Sequence, residues 1–306
     1  MASELFCVRT CVIFNPAAKG QKADRFRRCL DRIGAECVLK TTSAPGDARR
    51  LAAAAIHEGF DTLIAAGGDG TLNEVLNGLG DAPDGFKRAR LGILPLGTVN
   101  VFARELGIPL QPDAAWDVLR RAREERIDLA WAEYGKPDAV KRHYFAQMAG
   151  AGLDARAIAL VNWPLKKKLG PLAYVISGLR ALLGKPADIT ISTDGKTFTG
   201  QLVLIGNGRL YGGSFRFFPQ AEPRDGLLDV CVFPRANWLT LLWCGPTLLL
   251  TQRLPEGAVN RFRAESFRLS STLPAQFEVE GELIGHLPAV FSLSPVGLRV
   301  LVPPVA

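Results

Sequence analysis

Three groups of residues in this sequence have types and spacings that could do chemistry. The first is Gly67-Gly68-Asp69-Gly70-Thr71, a glycine-rich turn holding one carboxylate. Glycines let backbone amides approach an anion closely, and a helix starting there adds favourable partial charge, so the run suits a phosphate. Asp69 stands where the phosphate should sit, which electrostatics permits if a divalent cation or another counter-ion lies between them. A strand–helix turn that only needs glycine, with Asp69 as a cap, is the plainer alternative. The second group, Pro95, Gly97, Thr98, Asn100 and Arg104, repeats the layout one strand later, and Asn15-Pro16 offers a third polar edge. The third is Glu280-Gly281-Glu282, preceded by Asp225-Gly226. Carboxylates can accept a proton or hold a cation, but on their own these acids read first as exposed turns with solvated side chains.

The elements that must position these residues change character along the chain. Apolar runs at Val8–Phe14, Cys37–Thr42, Thr62–Ala66 and Leu91–Pro95 alternate with helical patterns at Gln21–Ile33, Asp47–Glu58, from Thr71, and over Val99–Leu106. Repeated strand–helix units with short loops predict a parallel sheet covered on both faces. Ligands of such sheets bind at the carboxyl ends of the strands, where both glycine turns fall. Beyond about Ile127 the pattern becomes β-rich. Ile189–Thr193 and Thr197–Ile205 flank an Asp194-Gly195 hairpin signal. Leu227–Phe233, Glu265–Leu269, Phe277–Val279, Val290–Leu293 and Leu298–Val302 add strand-like pieces. The expectation is an α/β domain over residues 1–129 and a β-rich, sandwich-like domain over 130–306.

Composition narrows the partners. Lys and Arg number 37 against 30 Asp and Glu, a net charge of +7 that suits an anionic partner. The six cysteines form no C-x-x-C pair and no zinc set, and read as small buried hydrophobes. The N-terminus reads as a first strand, not a signal peptide. Asn237–Gln252 is apolar but interrupted by Gly245-Pro246 and shorter than the roughly 20 residues a spanning helix needs. It is read as a buried segment, with contact at a membrane interface as the alternative, so the protein is expected to be soluble or peripheral. No G-x-x-x-x-G-K-[ST] occurs. Gly150-x-Gly152-x-x-Ala155 fails as a dinucleotide fingerprint, because no acid occurs from Ala155 through Ala187.

Taken together, Asn15-Pro16, the Gly67–Thr71 loop with Asn73-Glu74, and Pro95-x-Gly97-Thr98-x-Asn100-x-Phe102-Ala103-Arg104 resemble the motif set of diacylglycerol kinase catalytic domains. That superfamily includes sphingoid-base, ceramide and bacterial lipid kinases, and shares its glycine-aspartate loop with NAD kinases and phosphofructokinases. The resemblance continues through Gly150–Ala155, Gly170–Tyr174, Gly206-Asn207-Gly208, Tyr211-Gly212-Gly213, and Pro219 to Asp229, so it covers nearly the whole chain. It implies a phosphofructokinase- or NAD-kinase-like nucleotide domain and transfer of phosphate from ATP, with Mg²⁺, to a lipid hydroxyl. Diacylglycerol comes first as acceptor, with sphingoid bases, ceramide or phosphatidylglycerol as other members of the class.

Carried over residue by residue, the resemblance assigns Asp69 and Glu280 to catalysis, with Glu280 as the base where the family usually has Asp. It places Asn15, Thr42, Gly67, Gly68, Gly70, Thr71, Glu74, Gly97, Thr98 and Asn100 around the nucleotide. It also implies a structural Mg²⁺ at Glu222, Asp225 and the Leu227 carbonyl. Many members carry an acid after the helix asparagine; Val101 stands here, leaving Asp69, with Asp128, to carry more of that network. From Ala155 to Ala187, Arg156, Lys166, Lys167, Lys168, Arg180 and Lys185 interleave with Trp163, Tyr174 and aliphatics. That stretch suits an anionic membrane interface or a solvated helix face, and no nucleic-acid reading motif accompanies it. The expected location is the cytoplasmic face of the membrane, and a homodimer is left open. The competing expectations are a kinase of a soluble acceptor such as NAD, and a nucleotide-binding regulator without catalysis.

Overall fold

Apolar runs without alternation fold as strands buried on both faces, and the first of two units sets several of them beside a more exposed edge strand. A computed structural model of the chain describes residues 9–16, 33–160, 172–251, 253–255 and 257–304. The helix expected over Gln21–Ile33 lies outside them except for Ile33. Strands β1 (Thr10–Phe14), β2 (Val38–Thr41), β3 (Thr62–Gly67) and β4 (Arg90–Pro95) pair in parallel in the order β2-β1-β3-β4. Helices α1 (Asp47–His57), α2 (Asp69–Asp81), α3 (Gly85–Arg88), α4 (Val101–Glu105) and α5 (Pro112–Leu119) connect them, and β5 (Arg123–Ile127) follows.

Helix α2 buries Leu72, Val75, Leu76 and Leu79, the i, i+3, i+4, i+7 spacing of a core-facing stripe. It crosses α1 closely. A Cβ on Gly78 would lie 2.3 Å from the Arg49 carbonyl oxygen and 2.6 Å from the Ala52 Cβ. Glycine is therefore required at this crossing by lack of space, not by a turn.

The second unit, Ala130–Leu293, is a β-sandwich. Its strands are β6 (Ala130–Lys136), β7 (Ala139–Phe145), β8 (Met148–Gly152), β9 (Ile189–Thr193), β10 (Lys196–Gly200) and β11 (Leu202–Gly206). They continue with β12 (Leu228–Phe233), β13 (Asn260–Ala264), β14 (Ser266–Ser271), β15 (Gln276–Val279), β16 (Glu282–His286) and β17 (Ala289–Leu293). One six-stranded antiparallel sheet runs β10-β9-β14-β17-β6-β7, the other β13-β12-β11-β8-β15-β16. Alternate residues of both sheets meet in one core: Ile189, Ile191, Phe267 and Phe291 from the first, Val203, Ile205, Val230 and Phe277 from the second. Phe291 stacks on Phe267 and meets Phe277 edge-on, at centroid distances of 5.7 Å in both cases. Each such buried side chain contributes about 1.5–3 kcal/mol. The outer face of the second sheet is covered as well, by Tyr211, Phe218, Ala221, Cys244 and Leu254. This is why every residue of β12 is buried.

The second unit also carries α6 (Leu153–Ala159), α7 (Leu172–Ala181) and α8 (Trp238–Thr251). The Asp194-Gly195 hairpin forms, both residues having positive φ. The single strand expected over Thr197–Ile205 is instead two strands in different sheets, broken at Gln201. A Cβ on Gly200 would lie 2.6 Å from the Phe233 carbonyl oxygen, so the crossing point needs glycine.

The last strand, β18 (Leu298–Val302), leaves the sandwich. It pairs parallel to β4 through Val300–Leu91 and antiparallel to β5 from Leu298–Ile127 to Val302–Arg123. The first unit thus comprises residues 1–129 and 294–306, which corrects the expectation that the second domain runs to residue 306. β18 is the near-continuous apolar run LRVLV, which fits an interior strand of the first sheet better than an edge of the sandwich.

Gly78→Ala is expected to lower unfolding stability by about 1–3 kcal/mol, as overpacking against a backbone carbonyl does. Chemical denaturation followed by circular dichroism measures it, and unchanged stability would mean that the two helices separate freely.

Candidate active site

The site in the first unit begins where β3 and β4 end side by side. Each runs into a turn and then a helix, and the two turns touch backbone to backbone. A Cβ on Gly97 would lie 2.5 Å from the Gly68 Cα, which excludes a side chain there, and one on Gly68 would sit a tight 3.2 Å from the Gly97 Cα. Gly67 is equally constrained, its missing Cβ falling 2.4 Å from the Thr71 side chain.

The turns are tied by Asp69, the first residue of α2. Its carboxylate accepts the backbone N–H of Asn100 at 2.9 Å and of Val101 at 2.8 Å. The acid expected to manage phosphate charge is therefore the cap of the neighbouring helix α4. Burial pushes the Asp69 carboxyl upward, opposed by the amides of Val101, Asn100 and Phe102. Asn100 has φ 53° and is buried. Its side-chain amide donates to the Gly97 carbonyl at 2.8 Å and accepts the Gly97 N–H at 3.0 Å. The position thus shapes the turn, and its tolerance of left-handed backbone explains the choice of asparagine. Val101 is a core residue here, so no acid stands at that point.

Glu74, one turn along α2, repeats the arrangement toward the other neighbour. It accepts the N–H of Gly46 at 2.8 Å and of Ala48 at 3.0 Å, at the start of α1. Asn15, just past β1, donates its amide to the Thr71 hydroxyl at 3.0 Å, and its N–H bonds Ala66 O at 3.0 Å. Thr42, just past β2, bonds Phe14 O through its N–H at 2.9 Å. Asn15, Thr42, Gly67–Thr71 and Gly97–Asn100 thus share the carboxyl edge of one sheet. The N–H groups of Gly70 and Thr71, in the first turn of the 13-residue α2, have no carbonyl four residues back within the helix. With Gly68 and the exposed Thr98 they line an edge whose helix N-terminus favours an anion.

In the second unit Glu280 and Gly281 make the two-residue turn between β15 and β16, with φ of 52° and 82°. Positive φ at both positions is the type I′ hairpin pattern, which Asp-Gly would fill as readily. The Glu280 carboxylate accepts the N–H of Ala146 at 3.0 Å and of Gln147 at 2.8 Å, and its own N–H bonds Met148 O at 3.0 Å. It is ordered against the 146–148 backbone and only half-buried.

Beside that turn lies a cluster that the residue pattern did not single out as a site. The Tyr211 hydroxyl is 2.6 Å from Asp154 Oδ2 and 2.9 Å from Glu278 Oε1, and Glu278 Oε2 accepts the Gly281 N–H at 2.6 Å. A phenol has one proton and cannot donate to both acids, so one carboxyl must be protonated to donate back. Burial pushes both carboxyls upward, and the Asp154 charge holds Glu278 higher still. Gly150 leaves the room: a Cβ there would meet all three groups within 2.9 Å. Glu278 alternates with core residues Phe277 and Val279, a pattern that reads as a solvent-facing position. The Tyr211 segment covers it instead.

The 222–227 loop does not fit the implied Mg²⁺. Asp225 is ion-paired with Arg263 and accepts the Leu227 N–H at 3.0 Å, while Glu222 pairs with Arg209 at 3.3 Å. A dication would have to displace two guanidinium groups, and no cluster of three or more metal-ligating side chains occurs among the described residues. Of the basic stretch, Lys166, Lys167, Lys168 and Trp163 lie outside the described residues. An open cavity of about 370 Å³ is lined by Arg156, Lys185, Gln276 and His286, away from Glu280.

A parallel sheet with glycine turns at its carboxyl edge, followed in the chain by an antiparallel sandwich, defines a two-part class of α/β-plus-β proteins. Residues 9–132 match the diacylglycerol kinase catalytic domain, and residues 147–302 match the YegS C-terminal NAD kinase beta sandwich-like domain. The diacylglycerol kinase of Staphylococcus aureus (strain bovine RF122 / ET3-1) is 33% identical over 294 residues, covering 92% of this chain and 89% of the relative. The diacylglycerol kinase of Staphylococcus aureus (strain JH9) matches to the same extent. The crystal structure of a diacylglycerol kinase from Bacillus anthracis str. Sterne superposes with a TM-score of 0.77 at 24% identity, covering 97% of each chain. The chain belongs to the diacylglycerol kinase family.

Two outcomes test these assignments. Asp69→Asn places an NH₂ against one of two backbone N–H donors, and is expected to cost about 1–3 kcal/mol of stability, read as a lower Tm. For the buried acids the linkage runs upward. Both carboxyls bind protons more tightly folded than unfolded, so their contribution is complete below pH ~4 and is lost as pH rises through their raised folded values. The Tm of Glu278→Gln should therefore fall less than that of the wild type as pH rises above the ordinary carboxylate range; parallel profiles would exclude proton sharing.

Proposed function

We propose that this chain transfers the γ-phosphate of ATP to the hydroxyl of a lipid, diacylglycerol first among the acceptors. The observation that carries the reading is the locked pair of glycine turns, which sets the first-turn amides of α2 at the carboxyl edge of the sheet. In this reading Gly68, Gly70 and Thr71 take the phosphates through backbone N–H groups, with Asn15 and Thr98 as neighbouring polar contacts. Thr42, Gly67 and Gly97 give the rim its shape. Asp69, Glu74 and Asn100 act by holding the turns in place, since their polar atoms bond the backbone. The cation that accompanies ATP belongs to the nucleotide substrate, not to the 222–227 loop.

Glu280 accepts the proton of the lipid hydroxyl as that oxygen attacks the γ-phosphorus and ADP leaves. Its two amide contacts orient the carboxylate and keep it from drifting into the turn. The Asp154–Tyr211–Glu278 cluster holds the same turn from below through Gly281.

The test is transfer of label from γ-labelled ATP to diacylglycerol, phosphatidylglycerol, a sphingoid base and ceramide in mixed micelles, with NAD as a soluble acceptor. Glu280→Gln is expected to lower kcat by 10²–10⁴-fold, the usual effect of losing a general base, while leaving ATP binding unchanged. Wild-type kcat in that variant would remove Glu280 from the chemistry. Label in NAD and in no lipid would establish the soluble-acceptor reading, and binding without turnover on any acceptor would establish a regulator.

A further inference from the structure

Helix α8 is apolar on the wrong side. It was expected to be a buried segment, but only Cys244 among its described side chains is fully buried. Leu239, Leu242 and Leu250 are 75%, 68% and 85% exposed, and Trp238 and Trp243 are exposed beside them. Leu239, Trp243, Pro246 and Leu250 follow a spacing of four, three and four residues, so they share one face. That face points away from the core that Cys244 joins.

The polar atoms of the helix are turned inward on themselves. The Thr247 hydroxyl bonds the Trp243 carbonyl at 3.2 Å and the Thr251 hydroxyl the Thr247 carbonyl at 2.7 Å. At the start, Thr240 takes the Asn237 side chain on its N–H at 3.0 Å and bonds Arg235 O through its hydroxyl at 2.8 Å. Side-chain hydroxyls satisfied by their own helix suit an environment with few hydrogen-bonding partners. Charge points the same way. Arg235 and Arg253 stand exposed just outside the two ends, and no acid occurs from Val230 to Pro255. Tryptophan beside aliphatic residues and arginine is the composition of a membrane–water boundary.

At 14 residues the helix is about 21 Å long, too short to cross a hydrocarbon core of about 30 Å. No helix among the described residues is long and apolar enough to cross a membrane. A second copy of this chain seated on the same face would bring its own Arg235 and Arg253 against these, a like-charge contact. An anionic lipid surface neutralises them.

We infer that α8 is a docking surface that lies in the headgroup layer of an anionic bilayer, with its Leu239–Leu250 face inserted and Arg235 and Arg253 on the phosphates. It deepens the lipid-kinase reading and rests on it for its purpose, but binding is measurable without turnover. The experiment is co-sedimentation of the full chain with vesicles of phosphatidylglycerol and phosphatidylcholine, and with phosphatidylcholine alone. Leu239→Gln with Leu242→Gln is expected to reduce partitioning at least about tenfold, given the apolar area each leucine buries. Arg235→Ala with Arg253→Ala is expected to reduce it about fivefold per arginine on anionic vesicles only. Val140→Gln, an exposed apolar position on β7, should change nothing. Turnover of a short-chain diacylglycerol that is monomeric in water should survive the leucine substitutions.

Wild-type protein that stays in the supernatant with anionic vesicles would overturn the inference. So would leucine variants that partition like wild type, or that only convert a dimer to a monomer in the ultracentrifuge. No turnover of the soluble diacylglycerol, with vesicle binding still lost in the leucine variants, would sink the kinase reading and uphold the surface.

Discussion

A buried carboxylate that accepts two backbone N–H groups from the next turn over is the contact on which the rest of the rim depends. Helix α4 has only five residues. A helix that short has no stability of its own in water, so its start must be fixed from outside. Asp69 does this, tying the start of α4 to the start of α2, while the β3–β4 ladder up to Gly67–Pro95 sets the spacing of the strand ends. With the two turns this close, Gly97 has no room for a Cβ and Gly68 little, and Asn100 takes the left-handed backbone that lets its amide close on Gly97. Glu74 applies the same device to α1. One helix thus orders both of its neighbours, and its own N-terminus is the part left facing outward.

The molecule buries acids in two different ways. Asp69 keeps its carboxylate by surrounding it with amide donors, although burial still pushes it upward. Asp154 and Glu278 have few such donors, and the cheapest solution is to share a proton across Tyr211. The first arrangement is a fixed negative end for a helix. The second is neutral or singly charged, and its charge depends on pH. Both serve a turn, since Asp69 holds the one at residue 97 and Glu278 the one at residue 281.

Much of the first unit was legible in the residues because its central strands are apolar runs, and because glycine at a strand end has few other meanings. The site positions around 67–71 and 97–100 were legible for the same reason. What the residues could not say is where a side chain points. Asp69 and Asn100 read as ligand contacts, yet both spend their polar atoms on backbone, because a carboxylate or an amide serves either purpose. Glu278 was invisible, since an acid alternating with Phe277 and Val279 looks solvent-facing until another segment covers it. Leu298–Val302 was read as a strand and assigned to the wrong sheet; strand partners are a long-range matter that local pattern does not encode. Helix α8 was misread because hydrophobicity was equated with burial.

The return of β18 to the first sheet has a consequence for how the chain is made. The sandwich is an insertion: the sheet that carries the glycine turns is opened after β5 and closed only when residues 298–302 slot between β4 and β5. During synthesis the first unit emerges with an interior strand missing, and it stays incomplete until the whole sandwich has been translated. A chain cut short by a dozen residues would lose nothing from the sandwich. It would leave a gap in the middle of the other unit, beside the strand that leads into Gly97. Residues 298–302 are in this sense part of the support of the glycine turns.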